Sequence, residues 1–397
     1  MSYGRVWWVL STVCLWGVVG HSLVAAGTDR FQTISASPST NQDVTPEVLV
    51  QRLGDAHFVV RKRATDQLIE LGIRAVPALE EGVQSGDREI RFRCRMALER
   101  VRELDFQRRL RAFAAGHDAN ESYELPAWPL FRKEVGDGLE ARRLFVEMQQ
   151  SEPALLLALE RDPDKIVEVL SERLEKIQIA AQSGGKATET ELGTIAALLF
   201  VANSCSPGES AGLAAYDLSG LLRQDAFALA VQAGPQQDVL RKLLTVWIER
   251  ARSWEGFHAV LLAMQYNIPQ GLVPARRLLE GDTGDPNESV YRGFALQTFA
   301  RFGDASHIPI VEPFLEDASP YGGSLSISDK AKYQTQVRDI ALATLVFLVD
   351  EDPKKFGLNR LKTSSSQVFN TSSVAFEDDA KRAEAIAAWH AFRAEHP

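Results

Sequence analysis

One short string in this 397-residue chain has the form of a catalytic motif. Residues 208–212 (GESAG) fit G-x-S-x-G, the turn that exposes the nucleophilic serine of α/β-hydrolases. That chemistry needs an apolar strand before the turn, an oxyanion loop, and acid and histidine partners. Here a loop at 204–207 precedes the motif, and the run before it, 195–202, has helical character. We therefore expect Ser210 to lie in a loop between helices and not to be a nucleophile. A serine hydrolase that uses Ser210 is the alternative.

The sequence offers no recognisable metal or cofactor site. Histidines 57, 117, 258, 307, 390 and 396 form no pair three or four residues apart, and neither CxxC nor HExxH occurs. The acidic stretch 282–288 contains oxygen ligands suited to calcium, but it lacks EF-hand spacing and favours a solvated turn. No glycine-rich phosphate loop is present. We expect no metal and no cofactor.

Positive charge is concentrated in residues 87–111, which contain nine arginines and five acids in a chain of net charge −9. The acids are interleaved at helical spacing, so ion pairs on a helix surface are expected. If this segment binds a ligand, a protein partner or an anionic envelope polymer is favoured over nucleic acid, because the chain is acidic overall.

Trp128 stands between two prolines and is expected in a loop, in contact with a ligand or packed between helical bodies. The possible binding surface comprises Arg88, Arg91, Arg95, Arg102 and Trp128.

The first 26 residues have the pattern of a secretory signal peptide. Arg5 precedes an apolar run from Val6 to about Val19, and Val24-Ala25-Ala26 supply the small residues of a cleavage site. An uncleaved membrane anchor is the alternative, because the segment from Val6 to Ala26 could just span a bilayer. Residues 27–45 are polar and aperiodic, which is typical of a flexible linker. The sequence therefore predicts export to the periplasm or cell envelope, with secretion as a further alternative.

Composition narrows the class of protein. With 45% hydrophobic and 24% charged residues, the chain has the ordinary composition of a soluble folded protein. This composition excludes collagen-like, disordered and polytopic membrane proteins.

Three cysteines cannot form a disulfide framework. After removal of the signal segment Cys94 and Cys205 remain, and one disulfide between them is possible. Two buried thiols are favoured, because Cys94 occupies an apolar helical position.

A helical frame recurs along the chain: an apolar residue, an arginine, a small residue three further on, and another apolar residue four beyond that. The stretches VRKRATDQL, IRFRCRMAL, YRGFALQTF and VRDIALATL contain it. Gly72 and Gly303 end two of these helices, and Pro77 and Pro309 stand near the start of a second, shorter helix. Helix, glycine turn and proline-started helix make a two-helix repeat, and stacked repeats of this kind build solenoids. Four unrelated amphipathic helices are the alternative.

The frame, with L-G and a P-A-L helix after it, resembles HEAT repeats of armadillo-type superhelical proteins, best over 46–111 and acceptably over 287–349. Segments 125–157 and 337–392 also resemble uncharacterised exported proteins of planctomycete-type bacteria that carry HEAT-like helices. The resemblance implies an all-α HEAT-like helical-pair solenoid and no particular catalytic residues.

The expected organisation has four parts: a signal peptide (1–26), a flexible linker (27–45), HEAT-like helical repeats (46–116), and a second helical body with further HEAT-like pairs (117–397). Further helices are expected over 191–203, 211–233, 236–252 and 256–266. The expected function is an exported, non-catalytic scaffold or protein-binding module with an extended helical surface.

The signal segment leads to a direct prediction. We expect the native protein to begin near Gly27, because the Val24-Ala25-Ala26 site meets the requirement of signal peptidase for small residues. N-terminal sequencing of the protein from its native envelope fraction measures this. An intact Met1 in a soluble cytoplasmic fraction would contradict it.

Overall fold

The computed structural model describes residues 44–116, 123–182, 190–205, 213–281, 287–322, 333–365 and 367–396. Within these ranges the regular structure is helical, and the only β pairing consists of two isolated bridges, Pro320 with Gln336 and Thr363 with Phe369. The all-α class expected from the sequence is therefore confirmed. Across the same ranges no helix is long and apolar enough to cross a bilayer. The proposed signal segment and most of the proposed linker lie outside the described residues.

The chain divides into two compact units between Arg100 and Val101, whereas the sequence placed the boundary at residue 116. The division lies inside the 28-residue helix α4 (Arg88–Ala115). Unit 1 also contains the helices α1 (Pro46–Arg52), α2 (Phe58–Leu71) and α3 (Val76–Gly82).

Unit 1 follows the periodicity of its sequence closely. In α2 the small residue Ala64 and the apolar Leu68 are fully buried, and Cys94 and Leu98 are buried at the matching positions of α4. Helix α2 ends at Gly72, whose φ of 61° lies in the left-handed region that favours glycine. Pro77 stands in the first turn of α3, where its missing N–H is not needed.

Helices α3 and α4 approach closely at Gly82. A Cβ at this position would lie 2.5 Å from Cys94 Sγ and 2.8 Å from Val50 Cγ1. Cys94 and Cys205 are both buried and neither forms a disulfide, as the sequence favoured. Burial raises the pKa of the Cys94 thiol to about 11, so the side chain is an uncharged apolar contact at neutral pH.

Unit 2 contains the rest of α4 and a further series of helices with two hydrophobic cores. These helices are α5 (Trp128–Val135), α6 (Leu139–Ser151), α7 (Pro153–Arg161), α8 (Ile166–Gln182), α9 (Leu192–Ser204), α10 (Leu213–Leu221), α11 (Asp225–Ala233), α12 (Gln237–Arg250), α13 (Ser253–Tyr266), α14 (Leu272–Glu280), α15 (Glu288–Phe302), α16 (Ile308–Val311), α17 (Val337–Leu348) and α18 (Asp379–Glu395).

Helix α9 is central to the first core of unit 2. Its residues 195–201 are all fully buried, as expected for a helix that is apolar on every side. Helix α13 takes part in both cores, with Ala259 and Ala263 in the first and Val260 and Met264 in the second. The region 211–233, expected to be helical, contains α10 and α11 with a break at 222–224.

The second core includes a buried ion pair between α17 and α18. Arg382 donates from Nε to Asp339 Oδ1 at 2.6 Å and also pairs with Asp379. Burial raises the pKa of Asp339, and the Arg382 guanidinium opposes that rise. Trp389, fully buried in α18, donates from Nε1 to Glu312 at 3.0 Å. These contacts hold the C-terminal helix against the second core.

The close approach at Gly82 predicts a large difference between two glycine substitutions. Gly82→Ala should lower the free energy of unfolding of unit 1 by about 1–3 kcal/mol, because the new methyl group overlaps Cys94 and Val50. Gly86→Ala is the matched control: nothing lies within 4 Å of a Cβ there, so its effect should stay within about 0.5 kcal/mol. Chemical denaturation with hydrogen exchange on α1 and α3 measures both. Equal stability of the two variants would contradict the close approach.

Candidate binding surfaces

The catalytic and calcium hypotheses concern residues that the structure does not describe. Ser210 lies outside the described residues, as do positions 282–286 of the acidic stretch. In the part of the chain that is described, no group of three or more His, Cys, Asp or Glu side chains is placed to hold a metal ion.

Two arginines of unit 1 bind backbone carbonyls in the same way. Arg61 donates from Nη1 to the carbonyl oxygens of Asp55 and Ala56 at 2.7 and 3.0 Å. Arg91 donates from Nη1 to Ser85 and Gly86, both at 2.8 Å. Each guanidinium thus reaches back six and five residues to the turn that precedes its own helix. Arg91, predicted to be a binding residue, therefore stabilises the turn between α3 and α4.

Arg88 and Arg95 differ from Arg91. Both are exposed, and neither has an ion pair or hydrogen bond with any described residue. They stand seven residues apart, so they lie on the same side of α4. Beside them on the same helix, Phe92 and Met96 expose 59% and 53% of their surface. We call these four residues the α4 face: it combines unpaired positive charge with exposed apolar side chains.

Two other residues of the predicted surface have interactions within the protein. Arg102 is exposed on α4 and has a partner inside the chain. Trp128 is the first residue of α5 instead of a loop residue, and its ring is half-buried. Its centroid lies 4.6 Å from that of Phe113 and 5.1 Å from that of Phe145. Trp128 therefore contributes to the first core of unit 2.

Sequence reasoning did not identify a large cavity in unit 2. It has a volume of about 990 Å³ and is bordered by α8, the start of α9, α10 and the start of α11. The size is typical of ligand sites between helices. We call it the α8–α10 cavity.

Several charged side chains around the α8–α10 cavity already interact with other groups of the protein. Arg173 binds both oxygens of the buried Glu152, with Nη2 to Oε1 at 2.6 Å, and Thr194 donates to the same oxygen at 3.1 Å. Glu191 accepts from the Ser151 hydroxyl at 3.2 Å. These contacts fix the wall of the cavity where α8 meets α9.

Two half-buried cavity charges lack a counter-ion among the described residues, whereas Glu191 and Asp225, which lack one too, are exposed. Asp217 of α10 has no hydrogen bond or ion pair with any of them, and burial raises its pKa. Arg223, after α10, forms no ion pair with a described carboxylate, and its only described polar contact is Nη2 to His258 Nδ1 at 3.4 Å. Burial first and then Arg223 lower the pKa of His258 to about 4, so this imidazole is neutral at pH 7. Asp217 and Arg223 thus present opposite, uncompensated charges to one cavity.

The described residues form an all-helical protein. No family model matches the chain, and comparison with curated proteins and with solved structures finds no similar protein.

The different surroundings of Arg91 and Arg88 predict different roles. Arg91→Gln should lower the free energy of unfolding by about 1–3 kcal/mol, because two carbonyls of the α3–α4 turn lose a charged donor. Arg88→Gln makes the same substitution on the same helix, and it should change the free energy of unfolding by less than about 0.5 kcal/mol. Urea denaturation followed by circular dichroism compares the two. A neutral Arg91→Gln would show that the guanidinium does not stabilise the turn.

Proposed function

We propose that this chain is an exported, non-catalytic binding module built from HEAT-like helical pairs, and that its α4 face binds an acidic protein partner carrying apolar side chains. Export is supported by the pattern of residues 1–26.

The repeat interpretation is supported by the likeness of α2 and α4. Both carry an arginine that donates to carbonyls six and five residues earlier, and both bury a small residue three positions after it. Similar side chains making similar contacts in successive helices are typical of stacked repeats. In such proteins the helical surface is the usual place for binding.

The observation that carries the binding proposal is the composition of the α4 face. Exposed Phe92 and Met96 gain free energy when a partner removes them from water, at about 25 cal/mol per Å² of apolar surface. Arg88 and Arg95 beside them have no acid to satisfy among the described residues. A surface of this kind matches carboxylates alternating with apolar groups. Arginine and aromatic side chains are also the types enriched at protein interfaces.

A protein fits this face better than a polyanion does. A nucleic acid or an anionic envelope polymer uses the arginines but leaves Phe92 and Met96 exposed. The same segment contains Glu99 and Glu103, which form no ion pair with a described residue and repel a uniform line of negative charge. An amphipathic acidic helix laid across α4 satisfies both kinds of side chain.

Binding of defined peptides to the full chain tests the proposal. The probe is a synthetic helix with leucine on one face and glutamate on the others. We expect it to bind and to weaken as salt is raised, because part of the attraction is electrostatic. The double variant Arg88→Gln/Arg95→Gln and the single variant Phe92→Ser should each weaken binding about tenfold, which corresponds to about 1.4 kcal/mol. Isothermal titration calorimetry provides the dissociation constants.

Controls separate this interaction from general charge attraction. Arg74 is an exposed arginine of unit 1 outside the α4 face, and Arg74→Gln should leave binding unchanged. Polyglutamate and duplex DNA should bind more weakly than the amphipathic helix. Tighter binding of DNA, or equal binding by all variants, would contradict the proposal.

A further inference from the structure

We infer that the α8–α10 cavity is a second binding site, and that it takes a short peptide with a free ammonium group and a free carboxylate. The opposite charges of Asp217 and Arg223, which line one cavity and have no counter-ion among the described residues, assign the two ends of the ligand. This inference goes beyond the proposed function, since the cavity and the α4 face share no residue.

Asp217 is the acceptor for the ammonium end. It lies on α10 and is half-buried, so its carboxylate has lost part of its hydration without gaining a donor from a described residue. Partial burial of a charge is unfavourable until an opposite charge approaches. A bound ammonium group supplies that charge and three donors.

Arg223 is the donor for the carboxylate end. Its planar guanidinium suits two parallel hydrogen bonds to a carboxylate. The neighbouring side chains do not neutralise it: His258 is uncharged at pH 7, and burial raises the pKa of Tyr266 to about 12, so that phenol stays protonated. The Tyr266 hydroxyl donates to the Leu222 carbonyl at 2.5 Å, which ties α13 to the residue before Arg223.

The rest of the lining suits a peptide between these ends. Leu174, Ile177 and Ala181 form an aliphatic stripe along α8, and Leu221 lies on α10. Neutral side chains with both donors and acceptors, among them Gln178 and Gln224, also border the cavity and can pair with peptide N–H and C=O groups. Aliphatic contacts with a few polar groups are typical of sites that fix the orientation of a ligand.

Ligands with charge of one sign fit less well. A dicarboxylate would meet the carboxylates of Asp217, Glu191 and Asp225. A diamine would meet the guanidinium of Arg223, the cavity cation that is not already paired as Arg173 and Lys176 are. A sugar usually stacks on an aromatic ring, and the described residues that line the cavity include none. A zwitterion avoids both repulsions.

Binding of trialanine and its blocked forms to the full chain tests the inference. Trialanine should bind with a Kd below about 1 mM. N-acetyl-trialanine, which has lost the ammonium, and trialanine amide, which has lost the carboxylate, should each bind at least about tenfold more weakly. The variants decide which end goes where: Asp217→Asn should weaken trialanine but not its N-acetyl form, and Arg223→Gln should weaken trialanine but not its amide. Calorimetry and saturation-transfer NMR measure these affinities.

Matched exposed residues of unit 2 supply the controls. Arg161 and Asp164 are exposed, lie outside the cavity and have no ion pair with a described residue, so Arg161→Gln and Asp164→Asn should bind as wild type does. Thermal melts of all four variants exclude unfolding as the cause of a loss. Glutarate or putrescine binding as tightly as trialanine would overturn the inference. So would equal binding by the blocked peptides, or no binding of trialanine at about 10 mM.

Discussion

A constraint that recurs throughout this fold is the need to satisfy backbone carbonyls at the turns between short helices, and arginine guanidinium groups meet it. A chain of short helices has many end carbonyls that no intrahelical N–H can satisfy. Here guanidinium groups donate to such carbonyls and to carbonyls of the connecting turns, often to two at once. The arginines that do so, with the residues whose carbonyls accept, are Arg61 (Asp55, Ala56), Arg91 (Ser85, Gly86), Arg109 (Tyr123, Glu124), Arg241 (Tyr266, Asn267), Arg250 (Cys205) and Arg277 (Glu249, Ala251).

Local signals predicted those parts of the fold that local interactions determine. The buried positions of Ala64 and Cys94 followed from helical spacing, and the end of α2 followed from Gly72, because both depend on residues within one or two turns. The break between α10 and α11 was not predicted, since residues 222–224 contain neither glycine nor proline. Nor was the division inside α4, because its sequence carries helical propensity without interruption from one unit into the next.

The candidate sites were harder to predict than the helices, because residue type does not determine a side chain's partner. Arg88 and Arg91 stand three residues apart in one basic run, yet one is exposed and the other holds a turn. The difference depends on where the preceding helix ends. The α8–α10 cavity could not be predicted from any local sequence pattern. Its lining residues come from positions between Ser151 and Asp225, and only the tertiary structure brings them together.

Most buried charges of unit 2 are paired with an opposite charge, and among the described residues the α8–α10 cavity contains two half-buried charges that are not. The buried Arg382 is matched by Asp339 and Asp379, Glu152 by Arg173, and Arg142 by Asp137. Leaving one member of such a pair alone typically costs about 3–5 kcal/mol, so a stable fold seldom keeps it unmatched without a reason. Asp217 and Arg223 depart from this pattern, and both line the same cavity. Their partial exposure lowers the cost of remaining unpaired, and it also leaves each within reach of a ligand that supplies the missing charge.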